Sequence, residues 1–177
     1  MPLDNAAGVL GISLPVFIVD AFTGKPFSGN PAAVCLVEGK QDISDQTKQS
    51  MAVELNQSVT AIATKIRIED KFDSASKFGL RWFTPTNEIP LCGNGTLAAG
   101  AVLFFHYNNP NERLEFETKS GVLGARKEGR SIVLDFPGRK PERLDAAMEE
   151  EAEPLVREIL KELEPADLAY CPVTKNL

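Results

Sequence analysis

Two hydrophobic periods alternate along this chain, and each marks an element. Residues 16–19 (VFIV) are β-branched and aromatic, predicting a first strand that ends at Asp20, Ala21 and Phe22, and residues 32–37 (AAVCLV) predict a second. Residues 23–31 (TGKPFSGNP), dense in Gly, Pro and Asn, read as a turn or functional loop, with a hairpin the simplest connection. Ser44 is placed to cap a helix running to about Leu55. Asp45 in its first turn favours the helix dipole, Met51, Ala52 and Leu55 share one face, and Asn56 is the expected stop. Residues 60–68 carry Ile62, Thr64, Ile66 and Ile68 at alternate positions, and residues 78–83 alternate less cleanly. Both read as strands of an antiparallel sheet.

Residues 97–105 (LAAGAVLFF) are apolar on every side of a helical wheel, and such a helix has to be enclosed by protein. Three short strands follow at residues 114–118, 122–126 and 132–136, separated by Lys119-Ser120-Gly121 and Glu128-Gly129 at the spacing of a meander. A last helix over about residues 148–164 carries Leu155, Val156, Ile159, Leu160 and Leu163 on one stripe and is stopped by Pro165. Residues 168–177 look like the opening of another strand, and residues 1–13 like a loose leader. The pattern predicts an α+β fold, a sheet of six or more strands around one buried helix over residues 14–140. Residues 141–177 then read as a linker helix and the first strand of an absent or incomplete second lobe.

Composition adds bounds. With 177 residues, 43% hydrophobic and 25% charged, the chain is an ordinary globular one, able to bury roughly 70% of its unfolded surface without a metal or disulfide staple. The net charge of −6 is concentrated: residues 142–167 hold ten acidic and three basic side chains. That argues for a solvated helix face and against a nucleic-acid surface, for which Arg126-Lys127 is too small a basic run. Cys35, Cys92 and Cys171 are odd in number and in no C-x-x-C pair, which fits a reducing cytosol better than a disulfide framework or a zinc site. The N-terminus lacks a basic region and its apolar stretch is broken by Pro15 and Asp20, unlike a signal peptide. Residues 97–105 are about half a membrane span. The expectation is a cytoplasmic chain with no membrane and no nucleic-acid partner.

Candidate chemistry gathers before the apolar helix. Residues 90–96 (PLCGNGT) place backbone N–H groups of Gly93, Asn94 and Gly95 at a helix N-terminus, a position that binds carboxylate or phosphate and lowers a thiol pKa, making Cys92 a candidate nucleophile or base. A tight turn with Cys92 as a small buried hydrophobe is the plainer reading of the same residues. Asn30, in Gly29-Asn30-Pro31, offers an amide to a ligand or launches a strand; Ser58 faces the same space or belongs to a helix stop. His106 is the single histidine, among Phe104, Phe105 and Tyr107, and reads as packed or half exposed; with one histidine there is no Ser-His-Asp set.

Four segments in order, residues 17–23 (FIVDAFT), 27–35 (FSGNPAAVC), 80–85 (LRWFTP) and 88–93 (EIPLCG) leading into a small-residue helix, resemble the PhzF-like, phenazine biosynthesis-like family of isomerases. That family shares its fold with diaminopimelate epimerase: two similar lobes, each a barrel-like sheet around a central helix. The resemblance implies that this chain holds the N-terminal lobe. It further implies proton movement on a small carboxylate-bearing metabolite, with no metal and no organic cofactor.

The chain departs from the family pattern at three places. The acid that moves the proton usually lies in N-x-S-E-T, and here residues 56–60 read NQSVT, so Val59 stands at the position of the expected acid. Glu54, about a turn and a half earlier, is not an obvious substitute. The ligand-binding turn, usually C-G-H-A-T, is here C-G-N-G-T, the form of diaminopimelate epimerase-type enzymes, in which the cysteine is an acid/base residue. The third departure is length: one lobe gives one wall of a two-walled cleft, unless a C2 homodimer sets two Cys92 residues opposite one another. Two readings follow. One is an isomerase in which Ser58, Gly93 and Asn94 position substrate and Cys92 is the remaining acid/base; the other is a catalytically silent binding or interaction module, or a truncated family member.

Overall fold

The computed structural model describes residues 13–39, 43–136, 138, 142–143, 145–160 and 169–170. The chain divides into two compact units, residues 1–136 and 137–177. In the first, β1 (Val16–Ala21) and β2 (Asn30–Val37) form the expected antiparallel hairpin, with Val16 opposite Cys35 and Ala21 opposite Asn30. Its loop turns back at Gly29, whose φ of 88° is left-handed; a β-carbon there would lie 2.2 Å from the Ala21 carbonyl oxygen, so only glycine fits. Helix α1 (Asp45–Leu55) is capped by Ser44, whose hydroxyl accepts the Thr47 N–H at 3.1 Å, and ends at a left-handed Asn56, as its sequence predicts.

Strand β3 (Thr60–Lys65) is followed by β4 (Lys77–Phe83), β5 (Glu88–Ile89) and helix α2 (Gly93–Ala101). The meander is β6 (Arg113–Thr118), β7 (Gly121–Glu128) and β8 (Ser131–Asp135). These strands make one eight-stranded sheet in the order β1-β2-β3-β4-β6-β7-β8, with β5 paired to β4, curled around α2. The α+β lobe expected from the pattern is therefore present. It is not wholly antiparallel: β2–β3 and β4–β6 pair in parallel, because α1 and α2 with its following loop carry the chain back to start each strand at the same end.

Strand β3 is shorter than the alternation of residues 60–68 suggests. Ile66 and Ile68 are exposed, since the chain leaves the sheet in a turn where the Arg67 N–H donates to Asp70 Oδ2 at 2.8 Å. Helix α2 begins four residues earlier than Leu97, so Gly93 to Thr96 are its first turn. It continues through a wider turn (Val102–His106) in which the Tyr107 N–H reaches back to the Val102 carbonyl. That turn swings Phe105 outward to 41% exposure, with Lys127 Nζ 5.3 Å from its ring centroid, so enclosure of residues 97–105 is incomplete. The core between α2 and the sheet packs Ala98, Ala99, Leu103 and Phe104 against Trp82, Phe78, Leu114 and Phe116, each large side chain contributing about 1.5–3 kcal/mol. A second cluster, including Cys35, Ala52, Ile62 and Phe83, lies under α1.

In the second unit, β9 (Glu142–Arg143) pairs antiparallel with β10 (Ala169–Tyr170), the latter within the stretch read as an opening strand. Between them runs α3 (Ala146–Leu160), whose Leu155 and Ile159 are exposed. Leu163, Pro165 and Cys171 lie outside the described residues, as does most of the leader. Among the described residues no helix is long and apolar enough to cross a membrane.

Candidate functional site

The first turn of α2 lies directly on the core. A β-carbon at Gly95 would stand 2.7 Å from Trp82 Cδ1 and 3.5 Å from Val59 Cγ1, so the helix can rest on the indole only because residue 95 has no side chain. Trp82 Nε1 is buried there without a hydrogen-bond partner among the described residues.

From that turn a run of side-chain hydrogen bonds crosses three loops. Cys92, the N-cap residue, donates its thiol hydrogen to Asn94 Oδ1 at 2.8 Å, and the same oxygen accepts the Gly95 N–H at 2.9 Å. Asn94 Nδ2 faces Ser58 Oγ at 3.4 Å, and the Ser58 hydroxyl donates to the Pro31 carbonyl at 2.6 Å with Asn30 Oδ1 at 3.3 Å. Thr96 Oγ1 donates to the Cys92 carbonyl at 2.6 Å, closing the turn. Asn30, Ser58, Cys92, Gly93, Asn94 and Gly95, scattered across the sequence, are thus one cluster. Ser58 and Asn30 are exposed, Gly93 and Cys92 half-buried, and Asn94 and Gly95 buried.

Two members differ from their sequence-based roles. Burial pushes the Cys92 thiol up, and the Gly95 and Asn94 backbone amides that pull it down are outweighed, so Cys92 is less thiolate-like than a free cysteine, not more. Gly95 is closed off: its N–H is taken by Asn94 and its Cα by Trp82, which leaves it shaping the turn. Val59 lies where the resemblance puts the acid, against that turn, but it is 2% exposed and part of the core, its carbonyl accepting the Ala33 N–H. Glu54 is exposed on α1. His106 lies at the far end of α2, its ring edge-on to Phe17 at 4.5 Å between centroids.

Sequence reasoning missed the supports of this cluster. Asp20 Oδ2 accepts the Phe27 N–H at 3.1 Å and holds the β1–β2 loop, in which Phe22 and Phe27 are both exposed at left-handed φ of 62° and 60°. The signal was available in the Asp20 and Phe27 of the quoted motifs. A groove of about 450 Å³ runs along α2 between β1 and β8, lined by Phe22, Leu97, Ala101, Phe105 and Ile132, but none of the clustered residues lines it. Among the described residues, no three His, Cys, Asp or Glu side chains gather as they would around a metal ion.

Comparison with known proteins agrees with the fold and the motifs. The family profile described as phenazine biosynthesis-like protein matches residues 19–173. A phenazine biosynthesis-like domain-containing protein of Bos taurus is 48% identical over 168 residues, covering 94% of this chain and 56% of the bovine protein. An uncharacterized isomerase of Pseudomonas aeruginosa is 41% identical over 131 residues, 74% of this chain and 46% of its own length. The crystal structure of an Enterococcus faecalis PhzF family protein superposes with a TM-score of 0.66 at 40% identity, covering 80% of this chain and 50% of that one. A Clostridium difficile PhzC/PhzF protein gives 0.67 at 30% identity, covering 90% and 55%. The chain spans about half the length of the relatives it matches, and it belongs to the phenazine biosynthesis-like (PhzC-PhzF) family.

Proposed function

We propose that this lobe binds the carboxylate of a small metabolite at the first turn of α2, as one half of a proton-transfer isomerase site whose chemistry is limited by Val59. The observation that carries the reading is the hydrogen-bonded run Asn30–Ser58–Asn94–Cys92, which gathers neutral polar groups from three loops around one helix N-terminus. The Gly93 and Asn94 amides and the positive end of the helix dipole suit an anion, while Ser58 and Asn30 suit its uncharged substituents. Cys92 is the acid/base at hand. Its thiolate would take a proton from a carbon that lies between the carboxylate and a C=C double bond, and the electron pair would spread along that conjugated system. The thiol would return the proton to the far alkene carbon as the double bond shifts, with no net change in protons or electrons.

A second reading, a catalytically silent carboxylate-binding module, is favoured by Val59, which holds no proton, and by the raised Cys92 thiol, which leaves little thiolate at neutral pH. The free thiols of Cys35 and Cys92 suit a reducing cytosol. A C2 homodimer with two Cys92 residues opposed would give the site a second wall. Incubation with small carboxylates in D2O, followed by proton NMR and paired with light scattering, tests these readings. Exchange lost in Cys92→Ser supports the isomerase, binding without exchange supports the module, and the absence of both overturns the site. A monomer that exchanges would remove the need for the dimer.

A further inference from the structure

The approach to α2 has little backbone anchoring. Strand β5 is two residues long, paired to β4 through Trp82–Ile89 and Phe83–Glu88, and Pro90 next to it has no N–H to donate. Strand alternation turns Ile89 inward against the core and Glu88 outward beside Arg81.

On that outer face Glu88 is gripped from two sides. Arg81 meets its carboxylate in a fork, Nε to Oε1 at 2.8 Å and Nη2 to Oε2 at 2.7 Å, and Lys119 Nζ reaches Oε2 at 2.6 Å from the β6–β7 turn. Arg81 is itself held by Asp45 at the start of α1, at 2.5 and 2.9 Å. The next residue of the same turn, Ser120, donates to the Pro90 carbonyl at 2.7 Å. Glu88 and Arg81 side chains are 21% and 23% exposed, so this pair is less screened than an open surface one. Strand β4 and the β6–β7 turn thus converge on residues 88–90, two residues before Cys92, with α1 behind them through Asp45 and Arg81.

We propose that Glu88 and Ser120 are positioning residues that pin the entry to α2 and thereby set the accessibility and reactivity of Cys92 in the binding turn. This rests on the reading of that turn as the binding surface, but its consequence for Cys92 can be measured without any ligand. The two tethers act on opposite sides of Ile89, one through an ion pair and one through a backbone carbonyl. Loss of either lets the segment between β5 and α2 move away from the β6–β7 turn and admits water to the half-buried thiol.

The test is alkylation of the intact folded chain by iodoacetamide, with modification at Cys92 read by peptide mass spectrometry across a pH series. Glu88→Gln keeps the shape and removes the charge; Ser120→Ala removes one hydrogen bond from an exposed turn. Each is expected to raise the Cys92 rate by about threefold or more and to move its pH midpoint down towards that of a free cysteine. Lys65→Met, which breaks the 2.5 Å Lys65–Glu38 pair at the opposite end of β3 from Val59, is the control for general destabilisation and should leave both quantities unchanged. Unchanged rate and midpoint in Ser120→Ala and Glu88→Gln would overturn the proposal, as would an equal rise in Lys65→Met. Should Glu88→Gln fail to fold, Ser120→Ala alone decides. Sodium acetate titrated into 15N-labelled chain separates the two readings: unmoved Gly93 and Asn94 amides alongside altered Cys92 reactivity would sink the binding reading and leave this one standing.

Discussion

Gly95 and Trp82 meet so closely that a β-carbon on residue 95 would stand 2.7 Å from the indole Cδ1. The contact sets how near α2 can come to β4, and therefore where Cys92 and Asn94 sit relative to Ser58. The indole is 1% exposed and packed in the core on its other sides.

Gly95→Ala should therefore cost about 1–3 kcal/mol through overpacking, although alanine is the better helix former. A lower urea midpoint, together with altered near-ultraviolet dichroism from Trp82, is the expected outcome. An unchanged or higher midpoint would mean that α2 can slide off the indole without strain.

Val59→Glu puts a carboxyl where the family pattern has one, against the first turn of α2. Burial holds that carboxyl above the usual carboxylate range, so the variant should lose roughly 1–3 kcal/mol at neutral pH and less in acid, where both folded and unfolded forms are protonated. Substrate-dependent deuterium exchange is expected to appear, rising with pH as the carboxyl ionises. Continued silence in a folded variant would show that one missing acid is not the whole defect.

Cys92 should be alkylated more slowly than a free cysteine, with its rate still climbing where that of a free cysteine has levelled off, because burial outweighs the amides around it. In Cys92→Ser any exchange activity of the parent chain should vanish. Activity that survives would remove the thiol from the mechanism.

Cys35 makes stability depend on pH at the alkaline end. Its thiol, buried under α1, is pushed up from 9.0 to about 11. Above pH 9 the unfolded chain releases this proton while the folded chain keeps it, so stability is fully present below that value and is lost as pH rises towards 11. Urea midpoints of the parent should fall over this range, and those of Cys35→Val should fall less. Parallel curves would place the alkaline loss elsewhere.

Much of the lobe was legible because its signals are local. The Ser44 and Asn56 caps of α1 depend on atoms within four residues, the β1–β2 hairpin and the β6–β8 meander on alternation and turn residues, and burial of α2 on an apolar run that water would not tolerate. Family membership rested on ordered motifs, whose residues 27–35 and 88–93 each contribute to the cluster. What stayed hidden depends on neighbours far apart in sequence. The parallel pairings of β2–β3 and β4–β6, the early start of α2 and the outward turn of Phe105 are decided by packing against the sheet. A helix N-terminus alone argues for a depressed Cys92 thiol, but the protein closed around it argues the other way, and desolvation wins. Likewise Glu88, Lys119 and Ser120 are ordinary polar residues in the sequence, and only the tertiary fold brings them around the entry to α2. Sequence by itself determined elements, caps and kinship, because those follow from short-range chemistry. Tertiary structure alone decided which groups are buried together, and with that their charge, their reach and their reactivity.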